Sequence, residues 1–183
     1  ELVARVERRY GRLDGVIHVA GIVEDELLYK KSPDAFSKVL RPKTVGAWAL
    51  HEATRHLQLD WFVLCSSTAS IHGEIGHATY AASNAFLDAL AHYRRYALHL
   101  PALSINWGPW EGSPSAASPT YRRMMQARGS RFIEPDRGRR AFLQALALDM
   151  PQVAIVHLDG GRRDDPLGLN EPAARITQTS GQE

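Results

Sequence analysis

The chain is predicted to fold as an α/β protein, a doubly wound parallel sheet with helices on both faces. Three observations predict it. Four short runs, GVIHVAG (15–21), WFVLCSS (61–67), ALSINWG (102–108) and VAIVHL (153–158), are apolar at consecutive rather than alternate positions. Strands buried on both faces have that character. Segments with helical periodicity separate the runs, and they are long enough for the crossovers that parallel strands need. The resulting order, helix–strand–helix–strand–helix–strand–helices–strand, is that of a sheet built from right-handed crossovers. At 183 residues, 44% hydrophobic and 23% charged, the chain can bury one real core.

Each element has its own signal. ELVARVERRYG at 1–11 reads as the tail of an amphipathic helix and resembles the middle of a domain. SPDAFSKVLRPKTVGAWALHEATRHL opens with a Ser32 cap and Pro33 in the first turn. Phe36, Val39 and Leu40 mark one face of that helix, and Val45, Trp48 and Ala49 another after Pro42. Residues 80–99 are read as a second long helix, and 135–149, opened by Pro135, as a third. Residues 1–161 are expected to be the ordered portion. Residues 162–183, polar and aperiodic with two prolines, are expected to be a linker or disordered tail. A sheet of this kind that binds a dinucleotide opens with a strand, a Gly-rich turn and a helix. No such turn occurs here. The chain therefore reads as the later part of a domain whose first strands and Gly-rich turn lie elsewhere.

Composition excludes several classes. The net charge is only +2 and the Arg-Arg pairs are scattered, so no basic stripe points to nucleic acid. No run has the apolar length of a membrane span, and the first residues are not a signal peptide. Cys65 is the single cysteine and sits in an apolar run, the setting of a buried inert thiol. His72 and His77 lack a spaced carboxylate or thiol partner, so no metal site is expected. A cytoplasmic protein fits these features.

The chemistry centres on ATYAASNAFLDALA (78–91), where Tyr80 precedes Asn84 by four residues. A tyrosine with a pKa near ~10 exchanges protons readily at neutral pH only beside a cation that stabilises phenolate. Either Tyr80 is an inert helix tyrosine packed on the sheet, or its cation comes from another segment. The lysines are Lys30, Lys31, Lys38 and Lys43, so any such cation precedes the second strand. Lys43 is the best candidate, because it follows Pro42 and the neighbouring Gly46 and Ala47 leave room for close approach. Ser66 and Ser67 end the second strand at the edge where α/β sheets bind ligands. A hydroxyl at Ser67 can donate to a carbonyl as its oxygen becomes negative, and Tyr80 can then act as general acid. Ser66 either closes the strand or touches a cofactor.

HVAG, RPKTVGAW, FVLCSSTASIHGEIGHATYAASNAFLDALA and SINWGPW together resemble the ketoreductase domain of modular polyketide synthases, within the short-chain dehydrogenase/reductase superfamily. The resemblance covers roughly residues 10–160 and implies a Rossmann-like fold. In that family the lysine and asparagine exchange places relative to ordinary short-chain dehydrogenases. By resemblance Lys43 is the displaced lysine, Ser67 the carbonyl-holding serine, Tyr80 the acid and Asn84 the neighbouring amide; the intervals of 24, 13 and 4 residues agree with the family pattern.

The resemblance further implies NADPH, held in part by Ala20 and Gly21 and by Pro109 and Trp110 of the GPW turn, with Ser66, Lys43 and Tyr80 beside it. It implies a 3-oxoacyl chain on the phosphopantetheine arm of an acyl carrier protein as substrate, and other synthase domains as partners. The family marker for one stereochemical outcome, L-D-D after AG, aligns with Val23, Glu24 and Asp25 and keeps only the last aspartate. The tryptophan that marks the opposite outcome falls at His72, and His77 occupies a position where that second group also has histidine. The balance favours the aspartate-type (3R) product. VED with HLQLDWFV resembles synthases whose acyltransferase is supplied in trans. Residues 113–129 would be a mobile lid in the family, with Met124 and Met125 facing an apolar chain or simply packing.

Bland readings stand beside these. Asp25 serves equally as a solvated loop residue, Trp107 as core, and Arg122 and Arg123 as a solvated face rather than a contact for an acidic carrier protein. The absent phosphate-binding turn also admits a non-reducing structural or interaction domain of the synthase. A free-standing dehydrogenase for small alcohols is disfavoured by the missing lysine four residues after Tyr80.

Overall fold

The structure, a computed structural model, describes residues 1–24 and 26–158; Asp25 and residues 159–183, which include the 162–183 tail, lie outside the described residues. In chain order the elements are α1 (Leu2–Tyr10), β1 (Gly15–His18), α2 (Pro33–Lys43), α3 (Val45–Thr54), β2 (Trp61–Ser67), α4 (Ala69–His72), α5 (Ala78–His92), β3 (Leu103–Trp107), α6 (Pro119–Ala127), β4 (Ser130–Arg131), α7 (Pro135–Leu146), β5 (Gln152–Ile155) and β6 (His157–Leu158). Among the described residues they form two compact units: Glu1–Gly108 with Pro135–Ile155, and Pro109–Glu134 with 156–158.

The first unit is the predicted parallel α/β sheet. Its strands run in the order β1-β2-β3-β5, every pairing parallel. Side chains alternate between the two faces of a strand, and the two resulting cores are distinct. Phe62 and Leu64 of β2 meet Ala47 of α3 and Leu87, Leu90 and Ala91 of α5 on one face. Val63, Leu103 and Ile105 meet Ala145 and Phe142 of α7 on the other. Each fully buried aliphatic or aromatic side chain contributes about 1.5–3 kcal/mol, which is why apolar residues occur on both faces of these strands.

The helix ends follow their signals. Ser32 accepts from the Ala35 amide at 3.2 Å, with Pro33 in the first turn of α2. Gly11 closes α1 with φ 81°. The predicted helix over 80–99 is shorter: α5 stops at His92 and a π-helical turn, Tyr93–Ala97, follows. In this turn Arg94 is buried over the Phe62 ring, 3.8 Å from its centroid. Its Nε donates to the Pro101 carbonyl at 3.2 Å and its Nη1 to His51 Nδ1 at 2.8 Å. Burial lowers the guanidinium pKa to about 10. VAIVHL also divides, because β5 completes the parallel sheet while β6 pairs antiparallel with β4 in the second unit.

Two buried histidines give this fold an acid limit. Burial lowers the pKa of His51, and the adjacent Arg94 lowers it further. Burial also lowers that of His18, which outweighs its hydrogen bond to the Pro42 carbonyl. Both pKa values lie below the unfolded value of 6.5, so the unfolded chain binds the extra protons as pH falls through 6.5. Stability is therefore fully present above that pH and declines below it, by up to about 1.4 kcal/mol per pH unit for each histidine. Thermal midpoints measured from pH 7.5 to 5 should fall on the acid side, and His51→Gln should flatten part of the slope. An equally steep slope in that variant would remove His51 from the account.

In the second unit Ser118 caps α6 through the Tyr121 amide, at 3.3 Å, and Met125 packs with Ala116 and Phe132. Arg122 donates to the Ala116 carbonyl at 2.6 Å and to Glu111 at 2.5 Å, and its guanidinium lies over Phe132. Of the two arginines read as a solvated face, Arg122 is thus tied into its unit and Arg123 is exposed.

Candidate active site

Because all strands of the first unit are parallel, their carboxyl ends share one edge. There Val19, Ala20 and Gly21 leave β1, and Ser66 and Ser67 end β2. Lys43 is the last residue of α2, just before Thr44 turns the chain into α3 with φ −92° and ψ −73°. It is the one buried lysine of the four, 4% exposed. By contrast Lys31 donates to the Glu24 carbonyl, at 2.8 Å, and Lys38 pairs with the Glu24 carboxylate. Lys43 Nζ donates to the Cys65 carbonyl at 2.6 Å, immediately before the two serines. A Cβ on Gly21 would lie only 2.8 Å from Lys43 Cε. Glycine there lets the lysine stem lie directly against the backbone that leaves β1.

Burial lowers the Lys43 pKa to about 8, while Cys65 and Asp88 pull it upward. Burial also raises the pKa of the Cys65 thiol, which is half-buried rather than fully buried.

α2 and α4 both pack against α5. The helix that carries Lys43 and the short helix after the serines thus meet the helix that carries Tyr80 and Asn84. Tyr80 is half-buried, and its ring centroid lies 6.0 Å from that of His77. Asn84 is fully buried; its Nδ2 donates to the Tyr80 carbonyl at 2.8 Å, while its Oδ1 has no hydrogen-bond partner. A buried acceptor without a donor is costly, so this atom is poised for an incoming donor. Ser67 Oγ accepts from the Ala69 amide at 3.2 Å, which leaves its own proton for another acceptor. Ser66 Oγ donates to the Asn84 carbonyl at 3.2 Å, which ties the end of β2 to α5.

The sequence reading missed a polar cluster behind these residues. Asp88 accepts from Ser70 Oγ and Ser104 Oγ, each at 2.6 Å, and from Asn106 Nδ2 at 2.9 and 3.0 Å. Asn106 Oδ1 accepts from Gln152 Nε2 at 2.9 Å, and Gln152 Oε1 lies 3.0 Å from His92 Nε2. A signal was present. Tyr80, Asn84, Asp88 and His92 recur every four residues along α5, and such spacing places them on one face. Ser104 and Asn106 likewise alternate within a strand whose other residues are apolar.

The remaining predicted positions are dispersed. His72 is exposed, with Nδ1 donating to the Gly73 carbonyl at 2.7 Å. His77 is buried, with Nδ1 2.6 Å from Glu74 Oε2. No group of histidine, cysteine and carboxylates able to hold a metal occurs among the described residues. Pro109, Trp110 and Met124 belong to the second unit, where Met124 packs against the cluster of Met125 and Phe132. Asp25 lies outside the described residues. No described helix is long and apolar enough to cross a membrane.

The residues present fit the nicotinamide end of a dinucleotide. Ala20 and Gly21 are exposed at the carboxyl edge, the lysine stem lies against Gly21, and Asn84 Oδ1 awaits a donor. A Gly-rich turn for the pyrophosphate is not part of this sequence.

Comparison with known proteins agrees with this geometry. The family model for the KR domain matches residues 1–112. The phenolphthiocerol synthesis polyketide synthase type I Pks15/1 of Mycobacterium bovis is 39% identical over 166 residues, 89% of this chain and 8% of that protein. A ketoreductase domain from the bacillaene assembly line superposes with TM-score 0.82 at 33% identity, covering 88% of this chain and 40% of that one. A structure described as A-type ketoreductases from a modular polyketide synthase gives TM-score 0.75 at 34% identity, over 86% and 34% of the two chains. This chain thus spans well under half the length of each. The structural likeness covers more of the chain than the segment matched by the family model, and the chain belongs to the KR domain family, the ketoreductase domains of modular polyketide synthases.

Proposed function

We propose that this chain carries the catalytic portion of an NADPH-dependent ketoreductase acting on 3-oxoacyl thioesters held by an acyl carrier protein, with the 3-hydroxyacyl thioester as product. One observation carries the reading: a buried lysine from α2 is spent on the strand that ends in Ser66–Ser67, while α2 itself packs on the helix of Tyr80 and Asn84. When bound, NADPH supplies hydride to C3 of the substrate. Ala20, Gly21 and Ser66 hold its nicotinamide end with Lys43 and Tyr80.

Ser67 donates its free O–H to the C3 carbonyl oxygen and holds it as negative charge develops. Tyr80 delivers the proton to that oxygen. The Lys43 ammonium, with a pKa of about 8, stays cationic near neutrality and favours the phenolate that Tyr80 leaves behind. Asn84 offers its unpaired Oδ1 to the donors that resupply the proton. Asp25, His72 and His77 are assigned to substrate orientation, with the 3R alcohol as product.

The partner for the sheet is the upstream part of the same domain. β1 pairs with β2 on one side only among the described residues. Ile17, Val19 and Trp61 are exposed there, beside a groove of about 230 Å³ lined by Gly15, Val16, Ile17, Trp61, Val63, Phe142 and Leu146. The groove lies at the amino end of β1, away from the reaction edge, and suits a packed strand rather than substrate. NADPH titrated into this chain alone should bind weakly or not at all. Restoring the preceding sequence should give saturable binding and, with a 3-oxoacyl thioester, loss of NADPH absorbance. Saturable NADPH binding without turnover in the restored protein would favour a non-reducing domain instead.

A further inference from the structure

We propose that Asp88 is a positioning residue for the reduction: its carboxylate clamps the turn that follows Ser67 to the helix that carries Tyr80 and Asn84. The inference rests on the reading of those residues given above. Asp88 sits two helical turns beyond Tyr80 and is 9% exposed. It does not reach the substrate edge itself. Three donors from two other elements converge on its two oxygens: Ser70 of α4, and Ser104 and Asn106 of β3.

Two of them lead back to Ser67. Ser70 Oγ lies 2.8 Å from the Ser67 carbonyl, and Asn106 Nδ2 lies 3.2 Å from the same oxygen and 3.1 Å from Ser66 Oγ. The single Ser70 proton serves either the Ser67 carbonyl or Asp88, while Asn106 Nδ2, with two protons, bridges both, so the Ser67 backbone is tied to α5 through one residue. The clamp matters because Ser67 and Tyr80 must address a single carbonyl oxygen from segments 13 residues apart, and small misplacements of such groups are expensive in rate.

Burying a carboxylate is costly unless it is fully hydrogen-bonded, and apolar residues would pack this interior more cheaply. The charge has a further use. The ionisable groups that act on Lys43 are His18 on β1, Cys65 on β2 and Asp88 on α5, and of these Asp88 is the carboxylate; His51 and Glu52 on α3 turn toward Arg94 and Arg55. Asp88 thus helps keep the ammonium protonated while holding the serine turn.

The test uses the full polypeptide to which this chain belongs, with NADPH and a diffusible 3-oxoacyl thioester. Asp88→Asn should lower kcat by about tenfold or more with KM nearly unchanged. The alkaline limb of kcat/KM should move to lower pH, because an ammonium without its anion deprotonates earlier. Ser70→Ala, which removes one donor to Asp88 and the link to Ser67 but keeps the carboxylate in place, should lower kcat by about threefold to tenfold and leave that limb in place. Hydrogen–deuterium exchange over residues 66–72 should quicken in both variants, while the core of α5 stays protected. An unmoved alkaline limb and unchanged kcat in folded Asp88→Asn would overturn the proposal. If that variant does not fold, an unchanged kcat in Ser70→Ala overturns it. Tyr80→Phe, assayed alongside, separates the two readings: a retained rate there removes the site assignment, whereas a lost rate with normal Ser70→Ala and Asp88→Asn removes only the role of Asp88.

Discussion

Tyr80→Phe is expected to lower the rate of ketone reduction by about 10²–10⁴-fold while the protein stays folded and still binds NADPH. The substitution removes one oxygen from a half-buried ring, and none of the hydrogen bonds that shape α5 passes through that oxygen. The Tyr80 carbonyl, which accepts from Ser83 Oγ and Asn84 Nδ2 at 2.8 Å each, is untouched. Stability should stay within about 0.5 kcal/mol of the parent, as for substitutions that break no buried contact. Hydride can still approach C3, but the oxygen left behind has no acid to protonate it. Turnover retained at the parent rate, measured by NADPH oxidation with product analysis, would refute the assignment of Tyr80.

Lys43→Met is expected to abolish most turnover and yet leave stability equal or higher at pH 7. Burial lowers the Lys43 pKa from 10.5 to about 8, a penalty on the charged form of about 3 kcal/mol. The sign is that of a cation whose folded pKa is depressed. The unfolded chain holds the proton more tightly, so the penalty is complete below pH 8 and vanishes by about pH 10.5. Methionine removes the charge and keeps much of the volume. It forfeits the bond to the Cys65 carbonyl, which offsets the gain by about 1–3 kcal/mol. Thermal midpoints of the two proteins should therefore be close near neutrality, with any advantage of the variant shrinking as pH rises from 8 toward 10.5. A large loss of stability at pH 7 would mean that the lysine is retained for folding. A parent rate in the variant would refute its part in the reaction.

Most of the architecture was legible because it follows from burial on both faces. The runs at 15–21, 61–67 and 102–108 contain β1, β2 and β3, and Ser32–Pro33 starts a helix where a cap and a first-turn proline predict one. The end of α5 was not legible. Residues 93–99 keep helical composition, and only the inward turn of Arg94 onto Phe62 and His51, a tertiary contact, diverts the chain into a wide turn. VAIVHL reads as one strand because hydropathy cannot show that its last residues pair with Ser130–Arg131.

At the site, Lys43 was reached by counting lysines, and it is the buried one. The spacing of Tyr80, Asn84, Asp88 and His92 was as visible as that of Lys43, but a polar residue in a helix signals solvent unless its neighbours in space are known. Ser104 and Asn106 were hidden for the same reason, since their partner lies on a helix that precedes them in the chain.

The order of the strands has a consequence for synthesis. Each pairing joins residues roughly forty to fifty positions apart, as in Gly15 with Trp61, Val63 with Leu103 and Ser104 with Gln152, and neighbours in the sheet are neighbours in emergence from the ribosome. The layer can thus be laid down one strand at a time, each new strand finding the previous one still exposed. Loop closure over such distances is slow, so the incomplete intermediates live long enough to associate wrongly. Until Gln152 and its neighbours have emerged, the flank of β3 that pairs with β5 stays bare, which makes the arrival of β5 the step that shelters it.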